Sequence, residues 1–306
     1  MKNFWIRLLL FILCFWAFDK LFLLIRNRAP ELEVDKKLEH VIQGKFNHDI
    51  VIFGSSLAAS GIYAKQLGDS LHCKAYNLAS PGSDIDYMEF TLRQFTSHKN
   101  KKPKLLILAV NEPLELYFDK IVNFRFDRLY PLMKYPEIRE EMIQRGEKNK
   151  YLSEFFVLHQ LNKSNLDWRP RQFTINDTIL PCGSMPSSAT TNNFPGGYYD
   201  GNRPYEIKKE LPYKVEKFKS FVRICNQEQI KLLIVFMPRF HSRNFNFEKR
   251  IKDLAGNKAQ YYGHLQEVPE YKDRSFFKDA AHLNFKGARK YTAELATYIK
   301  ESKLLQ

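Results

Sequence analysis

Short runs of consecutive apolar residues alternate with segments in which apolar residues recur at helical spacing. Three runs rich in branched residues are typical of strands covered on both faces: DIVIF (49–53), KLLILAV (104–110) and KLLIVFM (231–237). KAYNLA predicts a weaker strand, and apolar periodicity predicts helices over residues 86–98, 206–229 and 284–305. This alternation predicts a three-layer α/β/α fold in which a mostly parallel sheet lies between helices.

The stretch 113–204 interrupts this alternation. It is rich in aromatic residues, Asn, Pro and Gly, and it is too long for a simple connection in a compact domain. Since its aromatic residues argue against complete disorder, we interpret it as an inserted cap or lid. Before the first strand, residues 29–48 predict a linker and a covering helix. The predicted organisation is therefore an N-terminal segment (1–28), this linker, and one domain (49–306) that contains the insertion.

The N-terminal segment has the composition of a membrane-spanning helix. Basic residues precede the apolar run LLLFILCFWAF, and Asp19-Lys20 separate this run from LFLLI. A helix over residues 4–25 would rise about 33 Å at ~1.5 Å per residue, enough to cross a hydrocarbon core of ~30 Å. We expect an uncleaved single-pass anchor, because no small-residue cleavage site follows the run. A cleaved signal peptide and an amphipathic surface helix are the alternatives, and positive charges on both flanks leave the orientation open.

The chain is basic, with 48 Lys and Arg against 34 Asp and Glu in 306 residues, for a formal net charge of +14. Such a balance suits nucleic acid, an anionic membrane surface or an acidic polymer. The lysines are scattered over amphipathic segments, and no nucleic-acid-binding motif occurs, so we expect no nucleic-acid partner. The four cysteines form no CxxC pair and the eight histidines no HExxH spacing, so no metal or other cofactor is expected.

Chemically active residue types follow the predicted strands at the points where the strands end. The stretches are Gly54-Ser55-Ser56, Ser80-Pro81-Gly82-Ser83, Asn111-Glu112-Pro113 and, before the terminal helix, Asp279 with His282. Ligands of open parallel sheets bind at the carboxyl ends of the strands, so these side chains are candidates for one site. Each also has a structural interpretation: the serines could cap a helix, Gly82 could serve a Pro-Gly turn, and Asn111 could end a strand.

Together these stretches resemble the four motifs of the SGNH (GDSL-type) hydrolase superfamily, in the same order. The resemblance covers residues 49–306 apart from the insertion. The motif residues of that family correspond here to the nucleophilic serine Ser56, the glycine Gly82, the asparagine Asn111, and the D-x-x-H pair Asp279 and His282. Two positions differ from the family pattern, because Ser55 replaces the usual aspartate and Ala109 replaces the glycine before the asparagine.

The resemblance implies a site for acyl transfer through serine. His282 would take the proton of Ser56 during attack, and Asp279 would orient the imidazole ring. The oxyanion of the intermediate would be bound by the Ser56 amide, the Gly82 amide and the Asn111 side chain.

An anchor followed by such a domain is similar to the plan of the teichoic acid D-alanyl transfer protein and the alginate O-acetylation proteins. This resemblance implies an extracytoplasmic domain at the cell membrane that acts as an O-acyltransferase or esterase on a glycan or envelope polymer. It also implies a multispanning membrane O-acyltransferase as partner. Arg239 and His241, which follow the third strong strand, are candidate substrate contacts or ordinary loop residues. The alternative is a noncatalytic envelope protein that uses this fold to bind a polymer or the membrane acyltransferase.

Overall fold

The computed structural model describes residues 2–167, 178–187, 197–201, 204–264 and 268–306, which fall into two units. Unit 1 comprises the described residues of Met1–Glu39 and Arg125–Gln172. Unit 2 comprises those of His40–Phe124 and Phe173–Gln306. The predicted insertion is therefore divided between the units, and its residues 168–177, 188–196 and 202–203 lie outside the described residues. The predicted domain boundaries stay predictions.

A five-stranded, all-parallel sheet forms the centre of unit 2. Its strands are β1 Ile50–Gly54, β2 Ala75–Asn77, β3 Leu105–Val110, β4 Lys231–Phe236 and β5 Gln260–Gly263. Their order is β2-β1-β3-β4-β5, and Ile52 of β1 pairs with Asn77 on one side and Ile107 on the other. The chain thus builds outward in both directions from β1, and the carboxyl ends of β1 and β3 form a topological switch point, where α/β proteins bind ligands.

Helices and short 3₁₀ turns make up most of the remaining regular structure. The α-helices are α1 Lys2–Arg28, α2 Lys37–Ile42, α3 Ser56–Gly61, α4 Ala64–Leu71, α5 Ile85–Ser97, α6 Phe126–Leu129, α7 Pro136–Gln144, α8 Lys150–Phe155, α9 Val157–Gln160, α10 Pro212–Gln227, α11 Phe245–Ala255 and α12 Phe285–Glu301. The 3₁₀ helices are Ala29–Leu32, Tyr130–Leu132, Lys163–Leu166, Ile207–Lys209, Gly256–Lys258, Pro269–Lys272 and Arg274–Phe276.

Alternate side chains of the strands enter two hydrophobic clusters, one on each face of the sheet. Ile52 and Ile107 pack with apolar residues of α3, α4 and α12 on one face. Val51 and Leu106 pack with those of α5, α10 and α11 on the other. Burial on both faces explains why the strand sequences are continuous apolar runs. The predicted α/β class with a parallel sheet is confirmed.

Several element boundaries differ from those predicted. The helix predicted from residue 206 begins at Pro212, a residue whose fixed φ and missing N–H suit the first helical position. The edge strand β5 was not predicted, because its residues are at most partly buried and form no apolar run. Neither α4 nor α11 was predicted, although both are amphipathic.

The N-terminal helix α1 is long and apolar enough to span a membrane or to serve as a signal anchor. Its most apolar window has a mean hydropathy of 2.4. The side chains from Lys2 to Phe18 are exposed, several later ones are partly buried, and the buried residue within the helix is Asp19. The side of the membrane on which unit 2 lies stays a prediction.

Candidate active site

The turn between β1 and α3 places Ser56 at the carboxyl edge of the sheet. Gly54 has a φ of +154°, and a Cβ there would lie 2.6 Å from the Cβ of Ala58 and 3.2 Å from that of Ala109. Only glycine therefore lets the strand turn this sharply against its neighbour. Ser55 is extended at the N-cap position, and Ser56 follows as the first residue of α3 with a half-buried side chain.

Three predicted residues, Ser56, His282 and Asp279, form a chain of hydrogen bonds. The Ser56 hydroxyl lies 2.8 Å from Nε2 of His282. Nδ1 of the same ring lies 2.9 and 3.0 Å from the two carboxylate oxygens of Asp279. Because a carboxylate only accepts hydrogen bonds, Nδ1 carries a proton, and Nε2 can accept from the serine hydroxyl when the ring is neutral. A base and its orienting group are thus aligned behind a hydroxyl.

Asp279 is held by its own loop as well as by the histidine. Its Oδ1 accepts the backbone N–H groups of Ala281 at 2.8 Å and His282 at 2.9 Å. Burial alone would raise the pKa of Asp279, but the hydrogen bond and charge of His282, with these two N–H groups, lower that pKa to about 2. Asp279 is therefore ionised throughout the neutral pH range and keeps the ring in one tautomer.

The loop after β2 places Gly82 beside the serine turn. Ser80 and Ser83 close a turn through a 3.1 Å backbone hydrogen bond, with Pro81 followed by Gly82 at a φ of +72°, as in a type II turn. The Ser80 N–H donates to the carbonyl of Gly54 at 3.0 Å, and the buried Ser83 hydroxyl donates to the Ser80 carbonyl at 2.7 Å. Two loops that carry predicted oxyanion donors are thereby tied together.

Asn111 stands at the same edge, directly after β3. Gly54 and Ala109 are partners in the β1–β3 register, so Ser56 and Asn111 each follow a paired residue by two positions. Its Oδ1 is buried without a hydrogen-bond partner among the described residues. Two hydrogen bonds to Glu115 fix the backbone of Asn111. The Glu115 N–H donates to the Asn111 carbonyl at 2.6 Å, and Oε2 of Glu115 accepts the Asn111 N–H at 2.7 Å.

Glu115 and the groups around it were not predicted. Its side chain is fully buried, and burial, reinforced by the nearby charge of Asp84, raises its pKa to about 8, against the opposing effects of the Asn111 N–H and Lys214. Lys214 and Asp84 form an ion pair of 3.1 Å in which each side chain is only 2% exposed. Lys214 also donates to the carbonyl of Tyr117 at 3.0 Å, so it fixes the loop that carries Asn111 and Glu115.

The candidate substrate contacts Arg239 and His241 lie next to the site, in the loop after β4. They line a recess that also includes Leu57, the residue after Ser56. Arg239 donates to the carbonyl of Glu112, and Nδ1 of His241 lies 2.8 Å from the carbonyl of Ser242. Both side chains therefore have a structural role, and a substrate role stays a prediction.

The same recess is also lined by Arg243, Glu248 and His264, which sequence reasoning did not find. Arg243 is bound to Glu248 through two N–H groups and donates to the carbonyl of His264 at 3.2 Å. Burial and the adjacent Arg243 charge lower the pKa of His264 to about 3, so its ring is neutral. Gly263 makes room for the guanidinium, since a Cβ there would overlap Arg243.

The capping interpretation of the serines is not what the contacts indicate. Ser55 occupies the N-cap position of α3, but its side chain makes no capping hydrogen bond. Its hydroxyl is buried with no partner among the described residues, whereas the Ser56 hydroxyl faces His282. The two adjacent serines are therefore chemically distinct.

No protein-family model matches the chain, and no curated protein matches it. The roles of these residues consequently rest on their geometry and chemistry.

Proposed function

We propose that this protein is a serine acyltransferase or esterase of the SGNH type that forms an acyl ester on Ser56. One observation carries the proposal: Ser56, His282 and Asp279 form a continuous hydrogen-bond chain at the switch point of a parallel sheet, although Ser56 and His282 lie 226 positions apart. A hydroxyl, a neutral imidazole and a fixed carboxylate in this order are the parts of a nucleophilic acyl-transfer site.

The first half-reaction acylates the serine. Nε2 of His282 takes the Ser56 proton as Oγ attacks the carbonyl carbon of an ester or thioester, and the carbonyl oxygen becomes an oxyanion. The Ser56 amide, the Gly82 amide and the Asn111 side chain stabilise that charge. The intermediate collapses as His282 returns the proton to the leaving oxygen or sulfur, which leaves acyl-Ser56 and a free alcohol or thiol.

The second half-reaction moves the acyl group onward. A hydroxyl of the acceptor, or water, gives its proton to His282 and attacks the acyl carbon. Collapse breaks the bond to Ser56 Oγ, which takes the proton back from the ring, so the enzyme is regenerated. Transfer and hydrolysis differ only in which hydroxyl attacks.

The acceptor class follows from the proposed membrane location. A chain anchored by α1, with unit 2 on the extracytoplasmic side, would meet glycans and other envelope polymers rather than cytoplasmic metabolites. Arg239 and His241, in the loop after β4, are the proposed contacts for the part of the substrate next to the scissile bond. A multispanning membrane O-acyltransferase is the proposed source of the acyl group.

The test is intact-protein mass spectrometry of the full-length protein in detergent after reaction with p-nitrophenyl acetate. We expect one acetyl adduct that maps to Ser56 and is absent from Ser56→Ala. Ser55→Ala is the matched control, because it removes the neighbouring hydroxyl, which lacks a hydrogen-bond partner, and it should keep the adduct. Equal release of nitrophenol by wild type and Ser56→Ala would contradict the proposal and favour a noncatalytic binding protein.

Adding a glycan oligosaccharide separates the two reactions. A transferase acetylates the oligosaccharide faster than it releases acetate, whereas an esterase releases acetate at a rate the oligosaccharide does not change. Either result requires Ser56.

A further inference from the structure

A buried carboxylate interrupts the apolar surface of α1. Asp19 is 3% exposed, although the side chains around it on the helix are largely exposed. Its two oxygens accept the backbone N–H groups of Val157 at 2.8 Å and Leu158 at 2.9 Å. These are the first free donors of α9, so Asp19 caps a helix that lies 138 residues away in sequence.

The next residue of α1 binds the end of α8, on the other side of the one-residue break between α8 and α9. Lys20 donates to the carbonyl of Phe155, the last residue of α8, at 2.9 Å, and to Asp19 at 3.0 Å. Phe156, between the two short helices, packs edge to face on Phe15 with ring centroids 5.9 Å apart. The donors and the acceptor exposed where α8 meets α9 are therefore satisfied by consecutive residues of α1.

This arrangement has a consequence for depth in a membrane. Asp19 lies seven residues before Arg26, a distance of about 10 Å along a helix axis. If α1 spans a bilayer with Arg26 at the headgroups, the α8–α9 break lies at the depth that interfacial amphipathic segments reach, about 5–10 Å. Irregular backbone at such depth is tolerated only where its polar groups have partners, which Asp19 and Lys20 supply.

The outward surface of α8 and α9 is apolar apart from the exposed carboxylate of Glu154. Four large side chains are exposed there: Tyr151 by 70%, Leu152 by 45%, Phe155 by 64% and Leu158 by 49%. This surface continues the exposed apolar surface of α1, whose residues Phe15 and Phe18 are 51% and 59% exposed. The exposed Lys150 and Lys163 lie on either side of it in sequence and suit anionic headgroups, whereas the exposed Glu154 between them needs water or the headgroup layer.

We infer that α8 and α9 form a lipid-facing hairpin that inserts into the interfacial region of the bilayer and is locked to the spanning helix by Asp19 and Lys20. The occupant of this apolar surface is lipid. The hairpin fixes the membrane depth of α1 and gives unit 1 a second membrane contact. This inference does not depend on the chemistry of Ser56.

Fluorescence quenching of the full-length protein in phosphatidylcholine and phosphatidylglycerol vesicles tests the hairpin. In a background with Cys14, Cys73 and Cys182 replaced by Ala, a polarity-sensitive probe is attached to Phe155→Cys or Leu158→Cys. Ile207→Cys of unit 2, where the native side chain is 57% exposed, is the matched reference. We expect lipid carrying a doxyl group near the headgroup to quench more than about half of the hairpin fluorescence, and aqueous iodide to quench only the reference.

Two results would overturn the inference. Quenching of the hairpin labels by iodide to the same extent as the reference would place α8 and α9 in water. Protection from both iodide and doxyl lipid would mean that protein, rather than lipid, covers the surface.

The lock is tested separately with Asp19→Leu, which removes the cap but makes α1 more apolar. A label at Phe11→Cys reports on insertion of the spanning helix and should be unchanged. We expect the Leu158→Cys label to lose at least about half of its quenching by doxyl lipid, because α9 loses its N-terminal acceptor. Unchanged quenching in Asp19→Leu would show that Asp19 does not hold the hairpin.

Discussion

Asp279 and Glu115 are two carboxylates of unit 2 whose pKa values move in opposite directions. Asp279 is 41% exposed and accepts two backbone N–H groups and an imidazole N–H, so its pKa falls to about 2. Glu115 is fully buried, and this burial outweighs the opposing effect of the hydrogen bond that it accepts from the Asn111 N–H. Its pKa therefore rises to about 8. The balance between donors and burial, rather than residue type, thus gives one permanent anion and one group that is mostly a neutral acid at neutral pH.

The largest expected effect comes from removing the permanent anion. Asp279→Asn should lower kcat for p-nitrophenyl acetate by about 10³- to 10⁴-fold, because an amide no longer enforces the Nδ1–H tautomer. Asp273→Asn is the control: Asp273 is an exposed aspartate of the same region that binds Ser275, and its loss should leave kcat nearly unchanged. A fall of less than about tenfold in Asp279→Asn would remove Asp279 from the proposed role.

The environment of Glu115 is tested next through its cationic neighbour. Lys214→Met leaves Asp84 buried without its ion-pair partner, which should lower the free energy of unfolding by about 3–5 kcal/mol. Lys219→Met on the same helix breaks an exposed pair with Glu216 and should cost at most about 1 kcal/mol. Denaturant unfolding of the full-length protein in detergent measures both. Similar losses in the two variants would contradict the importance we assign to the buried pair.

Asn111 links Glu115 to the proposed oxyanion hole. Asn111→Ala removes one donor to the developing charge and should lower kcat by about 10²- to 10³-fold with little change in KM. Steady-state kinetics with the same ester separates the two constants. A change confined to KM would indicate a substrate-binding role instead.

The pH dependence of stability distinguishes the two carboxylates most directly. A raised pKa means that the folded state binds more protons than the unfolded state between about pH 4.5 and 8, so ionising Glu115 costs stability as pH rises, by up to about 1.4 kcal/mol per pH unit. Glu115→Gln should therefore gain stability relative to wild type as pH increases through this window. The pH dependence of the stability contributed by Asp279 has the opposite sign, since this contribution is lost only as pH falls below about 4 toward 2. Melting curves at several pH values that stay parallel for wild type and Glu115→Gln would contradict the assignment.

The parts of the fold that could be predicted are those in which local pattern and burial agree. β1, β3 and β4 are buried on both faces and appear as apolar runs, whereas β5 lies at the edge with partly exposed residues. The position of residues 125–167 in a unit with α1 had no sequence signal, because it depends on Asp19 meeting backbone groups far along the chain.

The residues of the candidate site likewise divide into those that the sequence reveals and those whose role depends on tertiary packing. Gly54, Ser56, Asp279 and His282 are recognisable because turn geometry and short spacing restrict their residue types. Lys214 resembles an ordinary surface lysine in PYKVEK, and its burial against Asp84 depends on how α10 packs on α5. Glu115 could have been noticed four residues after Asn111, but its pKa depends on complete burial, which the sequence does not reveal.

The proposed nucleophile is tested most directly by reaction with a fluorophosphonate, followed by intact mass and peptide mapping. We predict stoichiometric phosphonylation at Ser56 in wild type and in Ser55→Ala, and none in Ser56→Ala. Phosphonylation should be strongly slowed in His282→Ala, because the base that activates the hydroxyl is absent. Equal labelling of Ser56→Ala, or no labelling of the folded wild-type protein, would contradict acyl transfer through Ser56.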